Sequence, residues 1–271
     1  MPSPIDELRS AAEVAARRGG EILRRRFEEA RTIDLKGQID LVTDADHAAE
    51  RVILEFVRAE FPEHRIVAEE IGQVAPTSPP EEIADSGLCW YVDPLDGTTN
   101  YAHRVPHFCV SVAVWDEKGP LAGAIYQPLL DDLYSAGRGA GGTCNGEPLR
   151  VSNQPGLAQA LIATGFPYDI WAKPEAPLKL FSAVLGQARG VRRFGAAALD
   201  LAYVACGRFD GYFELGLYPW DVAAGILLVQ EAGGLVSNLR GGEAKVGDRQ
   251  IIAANPPVHH DLVQLLAPFA P

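Results

Sequence analysis

The stretch that decides the fold is residues 90–101, WYVDPLDGTTNY. The apolar residues before Asp93 predict a short buried strand that ends at this aspartate. Pro94 stiffens the next step, and Gly97 permits backbone conformations that other residues resist. Asp93 and Asp96 therefore stand three residues apart on a rigid turn, where two carboxylates repel each other unless a cation lies between them.

The chemistry of this turn favours a site for a cation and a phosphate group. Carboxylate oxygens are hard ligands that suit Mg²⁺, Mn²⁺ or Ca²⁺. The backbone N–H groups of Gly97 and Thr98 could face an anion next to that cation. The alternative is ordinary turn chemistry, because Asp-Pro and Asp-Gly pairs are common in loops, where aspartates bond their own backbone. Spacing alone leaves both interpretations open.

Length and composition restrict the class of protein. The chain has 271 residues, 47% of them hydrophobic, which fits one large domain or two closely packed ones and excludes global disorder. The formal charge of -12 disfavours direct binding to nucleic acid or to an anionic membrane. It does not disfavour an anionic substrate, because a bound cation dominates its local field.

The cellular compartment is predicted to be the cytoplasm. The cysteines lack metal-site spacing and are expected to be core residues in a reducing environment: Cys89, Cys109, Cys144 and Cys206. The polar start MPSPIDELRS shows no secretory signal. No uncharged apolar run approaches the length of about 18 residues that a membrane span needs.

The first half of the chain predicts helices followed by an antiparallel sheet. Helices are expected at 5–31 and from the segment 40–46 to about residue 61, with a possible strand at 33–36 and a short strand at 66–68. After the central motif, antiparallel strands are expected at 108–115, 121–126 and 132–136. The glycine-rich segment 137–146 predicts tight turns without a nucleotide role. The segment 74–87 predicts a mobile surface loop that metal binding orders.

The second half alternates strands and helices. Strands are expected at 161–164, 192–194, 211–214, 235–237 and 251–254, and helices at 177–187, 195–206, 219–232 and from 258 onward. This order predicts layered α/β and α+β architecture, with an N-terminal half at 1–150 and a C-terminal half at 151–271 packed as one compact unit.

Other carboxylates each have two interpretations. Asp46 stands three residues after Thr43, so it either caps the second helix or orients a hydroxyl beside the metal cluster. Glu69 and Glu70 follow a short strand, where adjacent side chains point in opposite directions, so at most one faces the site. Asp221 either caps its own helix or supplies a third carboxylate to the cation pair.

Two helix starts are further candidates for anion binding. The helices that begin near Gly195 and at Pro219 could both point at one anion, because helix N-termini carry positive partial charge. One sequence does not fix whether they converge.

Three stretches carry a resemblance to the inositol monophosphatase family. WYVDPLDGTTNY is similar to the family's W-x-x-D-P-x-D-G-T pattern, PWDVAAGILLVQEAGG to its W-D-x-A-A-G…E-A-G-G pattern, and AEEIG to its G-E-E-S. The likeness covers residues 34–255, nearly the whole chain. It implies a layered αβαβα sandwich of the inositol monophosphatase and fructose-1,6-bisphosphatase type, usually a homodimer that lithium inhibits. It also implies two or three Mg²⁺ ions per site, with Mn²⁺ as a substitute and Li⁺ or Ca²⁺ as inhibitors.

The resemblance also implies roles for individual residues. Glu69, Asp93 and the Leu95 carbonyl would hold the first cation, and Asp93, Asp96 and Asp221 the second; a third, weaker ion would bind Glu69 and waters. Thr98, oriented by Asp46, would position the attacking water with Glu69. The residues implied to contact substrate are Gly97, Thr98, Arg192, Gly195, Ala196, Ala197, Glu214 and Asp221.

The sequence departs from the family pattern at three positions. Ile71 replaces the usual serine and Ala68 the usual glycine, which puts the water network around a third ion in doubt. Ala196 stands where the family usually has Ser or Thr, so one possible hydroxyl contact to substrate is lost. These departures concern substrate preference more than catalysis, because every implied metal carboxylate is present.

The predicted function is Mg²⁺-dependent hydrolysis of myo-inositol monophosphate by a metal-activated water. The first alternative keeps the chemistry but acts on fructose 1,6-bisphosphate, histidinol phosphate or a 3′-phosphoadenosine nucleotide. Glu214 disfavours the nucleotide, because a carboxylate suits hydroxyls and repels a second phosphate. A second alternative is a regulatory subunit that binds a partner protein through its acidic surface.

Overall fold

The computed structural model describes residues 3–27, 33–36, 40–73 and 87–270. The helices are α1 (Pro4–Arg26), α2 (Asp44–Glu60), α3 (Thr98–Ala102), α4 (Glu175–Leu185), α5 (Ala197–Ala205), α6 (Pro219–Glu231) and α7 (Pro256–Leu266). The strands of the N-terminal half are β1 (Ile33–Lys36), β2 (Asp40–Thr43), β3 (Arg65–Ala68), β4 (Gly72–Gln73), β5 (Cys89–Asp96), β6 (Cys109–Asp116), β7 (Gly119–Gln127), β8 (Asp132–Gly137), β9 (Gly141–Cys144) and β10 (Glu147–Pro148). Those of the C-terminal half are β11 (Leu161–Thr164), β12 (Gly190–Arg192), β13 (Gly211–Leu215), β14 (Leu235–Ser237) and β15 (Gln250–Ala254).

An eight-stranded sheet forms the first of two central layers, with strand order β10-β9-β8-β7-β6-β5-β3-β4. All its pairs are antiparallel except β3 with β5, which run parallel. Because parallel strands end at the same edge of a sheet, the segments after Ala68 and Val92 emerge side by side. The main-chain N–H of Glu69 donates to the Val92 carbonyl at 3.2 Å, which fixes this alignment.

A five-stranded sheet forms the second layer, with strand order β12-β11-β13-β15-β14. β11 pairs in parallel with β12 and β13, while β15 is antiparallel to β13 and β14. The two sheets fall on either side of residue 150, where the sequence analysis places its boundary between halves.

Helices cover both faces of each sheet. α1 and α2 bury their apolar stripes against the outer face of the eight-stranded sheet, with Leu23, Ile53 and Trp90 at its centre. α5 and α6 lie between the sheets in a core of small residues, where Gly225 lets α6 approach Leu201 of α5 closely. α4 and α7 cover the far face of the second sheet. The layered αβαβα prediction is confirmed.

The structure corrects several predicted boundaries. α1 ends at Arg26, and residues 28–31 of the expected 5–31 helix lie outside the described part of the chain. The segment 137–146 forms β9 and part of a hairpin, although its glycines predicted turns alone; β9 pairs with β8 through backbone groups and needs no large side chains. β12 spans Gly190–Arg192, two residues earlier than expected, and the last helix begins at Pro256, with the Asn255 side chain as its N-cap. The 74–87 loop, apart from Gly87, lies outside the described residues.

Two expectations from the composition, on the cysteines and on membrane spans, can be compared with the structure. The four cysteines are all free thiols. Within the described residues, the helices are too short or too polar to cross a lipid bilayer.

Candidate active site

The centre of the site is a bulge at the end of β5. The strand was expected to end at Asp93, but it continues to Asp96. Asp93 pairs with Ser111 and Asp96 with Cys109, so three steps along β5 match two along β6. Pro94 has no N–H for the ladder, which favours such an irregularity. Since the extra residue changes the alternation of side chains, both aspartates reach the same pocket although they stand three residues apart.

A tight turn follows the bulge. Gly97 has φ of 92°, a left-handed conformation that favours glycine, and a β-carbon there would lie 3.0 Å from the His107 carbonyl oxygen. The turn starts α3, and the Thr98 hydroxyl donates to the Leu95 carbonyl at 2.9 Å. Thr98 is buried, yet it lines the pocket together with Gly97 and Leu95. The turn thus aligns backbone and hydroxyl groups beside the carboxylates.

Of the five carboxylates that line this pocket, four lie on one side and come from three separate parts of the chain. Glu69 follows β3, Asp93 and Asp96 end β5, and Asp221 lies in the first turn of α6. Glu70 points elsewhere: its carboxylate lies 3.6 Å from His47 on α2, and its N–H donates to Glu50. Only Glu69 of the two lines the pocket, which agrees with the expectation that at most one of them faces it.

Asp96 caps the N-terminus of α5, across the interface between the first sheet and the central helices. Its carboxylate accepts hydrogen bonds from the backbone N–H groups of Ala197 at 3.0 Å, Ala198 at 2.8 Å and Leu199 at 3.3 Å. The Cys109 thiol adds a weaker contact at 3.5 Å. The α5 N-terminus does point at an anion, and that anion is a side chain of the protein itself.

Asp221 caps its own helix, as one interpretation of its sequence position predicted, and it also lies in the pocket. Its Oδ2 accepts the Tyr218 backbone N–H at 2.7 Å, so it caps α6. The same carboxylate lines the pocket. Capping therefore orients Asp221 toward the other acids.

The acids of the pocket affect one another's ionisation. Burial, followed by the charges of Glu69, Asp96 and Asp221, holds the pKa of Asp93 well above its ordinary value. Burial and Glu69 raise the pKa of Asp221 in the same direction, against the Tyr218 hydrogen bond. Burial raises the pKa of Asp96 to about 6, although the N–H groups of α5 oppose the shift. Such a cluster gains stability from any positive charge that enters it.

The donor set fits a divalent cation in kind and in place. The oxygens are hard, they are anionic at neutral pH when a cation is near, and they share one pocket with the Leu95 carbonyl. Among the described residues, no three His, Cys, Asp or Glu side chains already stand at the spacing of a metal site. Main-chain N–H groups bond one oxygen each of Asp93 and Asp221, which leaves further acceptor positions on these carboxylates for a cation.

The opposite side of the pocket carries one carboxylate and one guanidinium group. Glu214 ends β13 and packs against Gly165, where any side chain would overlap its carboxyl group. Burial raises the pKa of Glu214 to about 7, and the Arg193 charge lowers it. Arg193 folds over Gly195, whose φ of 79° and lack of a side chain make room for it. Ala196 and Ala197 complete this edge of the pocket.

Two predicted residues lie outside the pocket lining. Arg192 is exposed at the end of β12 and its guanidinium donates to the Val191 carbonyl; the lining residue is its neighbour Arg193. Successive residues of an extended chain point to opposite sides, which is why only one of these two adjacent arginines lines the pocket. Asp46 is fully buried in the first turn of α2, behind the pocket, and its charge contributes to the raised pKa of Asp93.

Sequence reasoning also missed an aromatic rim and a buried tyrosine. Phe166, Tyr168 and Tyr218 line the pocket mouth, and Tyr218 stacks on Trp220 with ring centroids 5.1 Å apart. Tyr212 lies beneath Glu214 and bonds it. The strand alternation of GYFEL placed Tyr212 and Glu214 on one face and was a usable signal for their contact.

Comparisons with known proteins show what the chain as a whole is similar to. The sequence profile of the inositol monophosphatase family matches residues 5–268. The Nus factor SuhB of Escherichia coli is 42% identical over 246 residues, which cover 90% of each protein. Inositol-1-monophosphatase from Synechocystis is 41% identical over 261 residues, covering 96% of this chain and 88% of the relative. The solved inositol monophosphatase of Anabaena has a TM-score of 0.87 at 39% identity and covers 99% of this chain and 98% of its own.

Proposed function

Because the chain belongs to the inositol monophosphatase family, we propose that it hydrolyses myo-inositol monophosphate to inositol and phosphate with Mg²⁺. Members of this family are phosphomonoester hydrolases. The observation that carries the proposal is the shared pocket, which is lined by Glu69, Asp93, Asp96 and Asp221 together with Glu214. Anionic oxygens on one side suit cations that bind a phosphate, and a carboxylate on the other side suits hydroxyl groups.

Five oxygen-bearing residues would hold the cations. As the family resemblance implies, Glu69, Asp93 and the Leu95 carbonyl would hold one ion, and Asp93, Asp96 and Asp221 would hold the other. The proposal is supported by all five residues lining the same pocket. A third, weaker ion would use Glu69 and waters. Bound divalent cations of this kind lower the pKa of water and neutralise charge on the phosphoryl and leaving oxygens.

Glu69 and Thr98 are the residues that would handle the attacking water. Both line the pocket, and the Thr98 hydroxyl is held by its hydrogen bond to Leu95, which leaves its lone pairs for the water's proton. Glu69 is the proposed general base, since it is a carboxylate partly open to the pocket. Asp46 lies behind the pocket and acts on it through Asp93, because the negative charge of Asp46 contributes to the raised pKa of Asp93.

Backbone groups would hold the phosphate. The turn at Gly97 opens α3, whose first N–H groups have no partner within the helix, so Gly97 and Thr98 present them at the pocket. Ala197 is less suited, because its N–H already donates to Asp96. Gly195, Ala196 and Ala197 therefore contribute mainly shape to the substrate site. Glu214, with Arg193 in place of the predicted Arg192, would bind the leaving alcohol's hydroxyls.

A phosphate-release panel tests the proposal. Myo-inositol 1-phosphate, fructose 1,6-bisphosphate, histidinol phosphate and a 3′-phosphoadenosine nucleotide are compared with Mg²⁺, with Mn²⁺ and with chelator. The inositol ester is expected to have the highest kcat/KM, and activity should vanish with chelator and fall with Li⁺ or Ca²⁺. A nucleotide with the highest kcat/KM would overturn the substrate assignment, and full activity in chelator would overturn the chemistry.

A partner-binding role is a second candidate, because the 42% identical relative from Escherichia coli carries the name Nus factor. The acidic chain, with a formal charge of -12, suits a basic protein surface. Replacing the chromosomal gene by an Asp93→Asn variant separates the two functions. Growth like that of the unmodified strain, where deletion impairs growth, would support partner binding; growth like that of the deletion would favour hydrolysis alone.

A cytoplasmic homodimer completes the proposal. Val105 and Phe194 are large exposed apolar residues that Asn100 links, since its side chain donates to Phe194 and its carbonyl accepts from Val105. An exposed apolar pair of this kind suits a subunit contact. The free cysteines suit a reducing compartment. Sedimentation should give about twice the 29.2 kDa of one chain, and a monomer at micromolar concentration would contradict it.

A further inference from the structure

We propose that Tyr212 is a positioning residue that fixes the Glu214 carboxylate for the hydroxyl groups of a polyol leaving group. This inference rests on the proposed function, in which Glu214 binds those hydroxyls. It names a residue that lies outside the pocket lining and acts through Glu214.

The contact between the two residues follows from strand geometry. Tyr212 and Glu214 stand two residues apart on β13, so their side chains project from the same face. The Tyr212 hydroxyl donates to Oε2 of Glu214 at 2.5 Å. The Tyr212 ring is fully buried in the core between the two sheets, so the position of its hydroxyl is fixed. The ring therefore holds one hydrogen-bond donor at the edge of the pocket.

Glu214 is held from two sides. Tyr212 donates the single hydrogen bond that the described residues make to this carboxylate, and Oε2 accepts it. Gly165 packs against the carboxyl group from the other side. Oε1 therefore keeps its lone pairs for a ligand, while the plane of the carboxylate is fixed between a hydroxyl and a glycine.

The electrostatic surroundings keep Tyr212 a donor. Burial and the nearby charges of Glu214 and Asp200 hold the pKa of Tyr212 well above its ordinary value. The hydroxyl therefore keeps its proton and directs it to a carboxylate. A hydrogen bond to a charged acceptor is stronger than one between neutral groups, so it restrains the side-chain torsions of Glu214.

A purely structural role would not need the hydroxyl. Phenylalanine would fill the same core volume without a polar group to satisfy, and a buried hydroxyl is costly unless it is bonded. The hydroxyl has its one described partner at the site that would bind the leaving group. Its effect should therefore appear as discrimination among esters, since positioning matters only when the leaving group has hydroxyls to bind.

The experiment compares two esters in Mg²⁺. Myo-inositol 1-phosphate has a hydroxyl-rich leaving group, and phenyl phosphate has none. For Tyr212→Phe, the ratio of the two kcat/KM values, inositol ester over phenyl ester, should fall about fivefold to tenfold, mainly through a higher KM for the inositol ester. Tyr134→Phe is the matched control, because its buried hydroxyl contacts Asp132 and Arg208 away from the pocket. The control should keep the ratio of the unmodified protein.

Two further variants make the result decisive. Glu214→Gln lowers the ratio by itself, and adding Tyr212→Phe to it should cause no further loss, because both changes remove one function. Gly165→Ala displaces the same carboxylate from the other side and should lower the same ratio. It serves as the second test if Tyr212→Phe fails to fold.

The outcomes separate this inference from the function on which it rests. An unmodified protein that prefers the inositol ester, with an unchanged ratio in Tyr212→Phe and Gly165→Ala, would overturn the role of Tyr212 alone. Equal losses on both esters, or losses that add in the double variant, would also overturn it. An unmodified protein that releases phosphate from neither ester would overturn the proposed function and the inference together.

Discussion

The two sides of the pocket use the same functional group in different settings. Asp93, Asp96 and Asp221 are held by main-chain N–H groups at a bulge and at two helix starts. Glu214 is held by the side chain of Tyr212. A carboxylate bonded to the backbone depends on the fold itself, whereas one bonded to a side chain depends on a single residue. The first arrangement suits chemistry that stays constant, and the second suits a preference that substitution can tune.

Removing one charge from the backbone-held side should have the largest effect. Asp93→Asn keeps the volume but loses the carboxylate that both proposed cation groups share, so kcat/KM should fall by about 10³-fold. Phosphate release with Mg²⁺ measures it. Asp116→Asn is the control, since Asp116 pairs with Arg138 elsewhere on the protein. If Asp93→Asn keeps full activity, the backbone-held acids are not the ones that carry out the chemistry, and the proposed difference between the two sides of the pocket is wrong.

Removing the charge from the side-chain-held side should have a smaller and selective effect. Glu214→Gln exchanges a charged acceptor for a neutral one, so kcat/KM for myo-inositol 1-phosphate should fall about 10- to 100-fold. The loss on phenyl phosphate should be much smaller, because that leaving group offers no hydroxyl. Steady-state kinetics on both esters measure this difference. An equal loss of kcat/KM on the two esters would mean that Glu214 has the same role as the aspartates.

The raised pKa values predict how stability depends on pH. Asp96 has its pKa raised to about 6 and Glu214 to about 7, so the folded protein binds their protons more tightly than the unfolded chain does. This contribution to stability is complete below about pH 4 and is lost as pH rises toward about 7. In chelator, these two acids should lower the free energy of unfolding by about 3 kcal/mol between pH 5 and pH 7. His107, whose burial lowers its pKa to about 4, contributes in the opposite direction over the same range.

Denaturant unfolding at several pH values measures this trend. Mg²⁺ should stabilise the protein most at the upper end of the range, where the acids are ionised and a bound cation offsets their repulsion. Because histidines whose pKa values are lowered by burial act in the opposite direction, the comparison is made with Glu214→Gln. If the change in stability from pH 5 to pH 7 in chelator is the same in Glu214→Gln as in the unmodified protein, the raised pKa of Glu214 is contradicted.

The smallest effect is expected from the guanidinium group beside Glu214. Arg193→Gln removes a charge that lowers the pKa of Glu214, so at pH 7 less of the carboxylate is ionised and KM for the inositol ester should rise about threefold. Arg192→Gln is the matched control on the adjacent residue, which lies outside the pocket lining. If Arg192→Gln raises KM more than Arg193→Gln does, the result would support Arg192, the arginine named in the sequence analysis.

The local features of the site could be predicted from the sequence, whereas its contacts between distant residues could not. The spacing of Asp93 and Asp96, the turn at Gly97 and the choice between Glu69 and Glu70 all follow from residues that are close in the chain. The contact of Asp96 with the N-terminus of α5 joins residues about a hundred positions apart, and no local pattern encodes it. The contact depends on how the first sheet and the central helices pack.

One error had a local cause. The strand β5 was ended too early because proline usually ends a strand, whereas here it lies in a bulge. Arg192 was carried over from the family resemblance, and the arginine that lines the pocket is its neighbour Arg193. Tyr212 was passed over because a tyrosine in an apolar strand is ordinarily a core residue, which it also is.

The cap that Asp96 provides to α5 makes the integrity of the pocket a property of the entire polypeptide. A cut in the connection between Pro148 and Leu161 would leave Asp96 on one fragment and the helix start on the other. Each fragment alone would then lack part of the catalytic apparatus. Mixing them should restore turnover only to the extent that they reassociate, so hydrolysis would report on the docking of the two fragments.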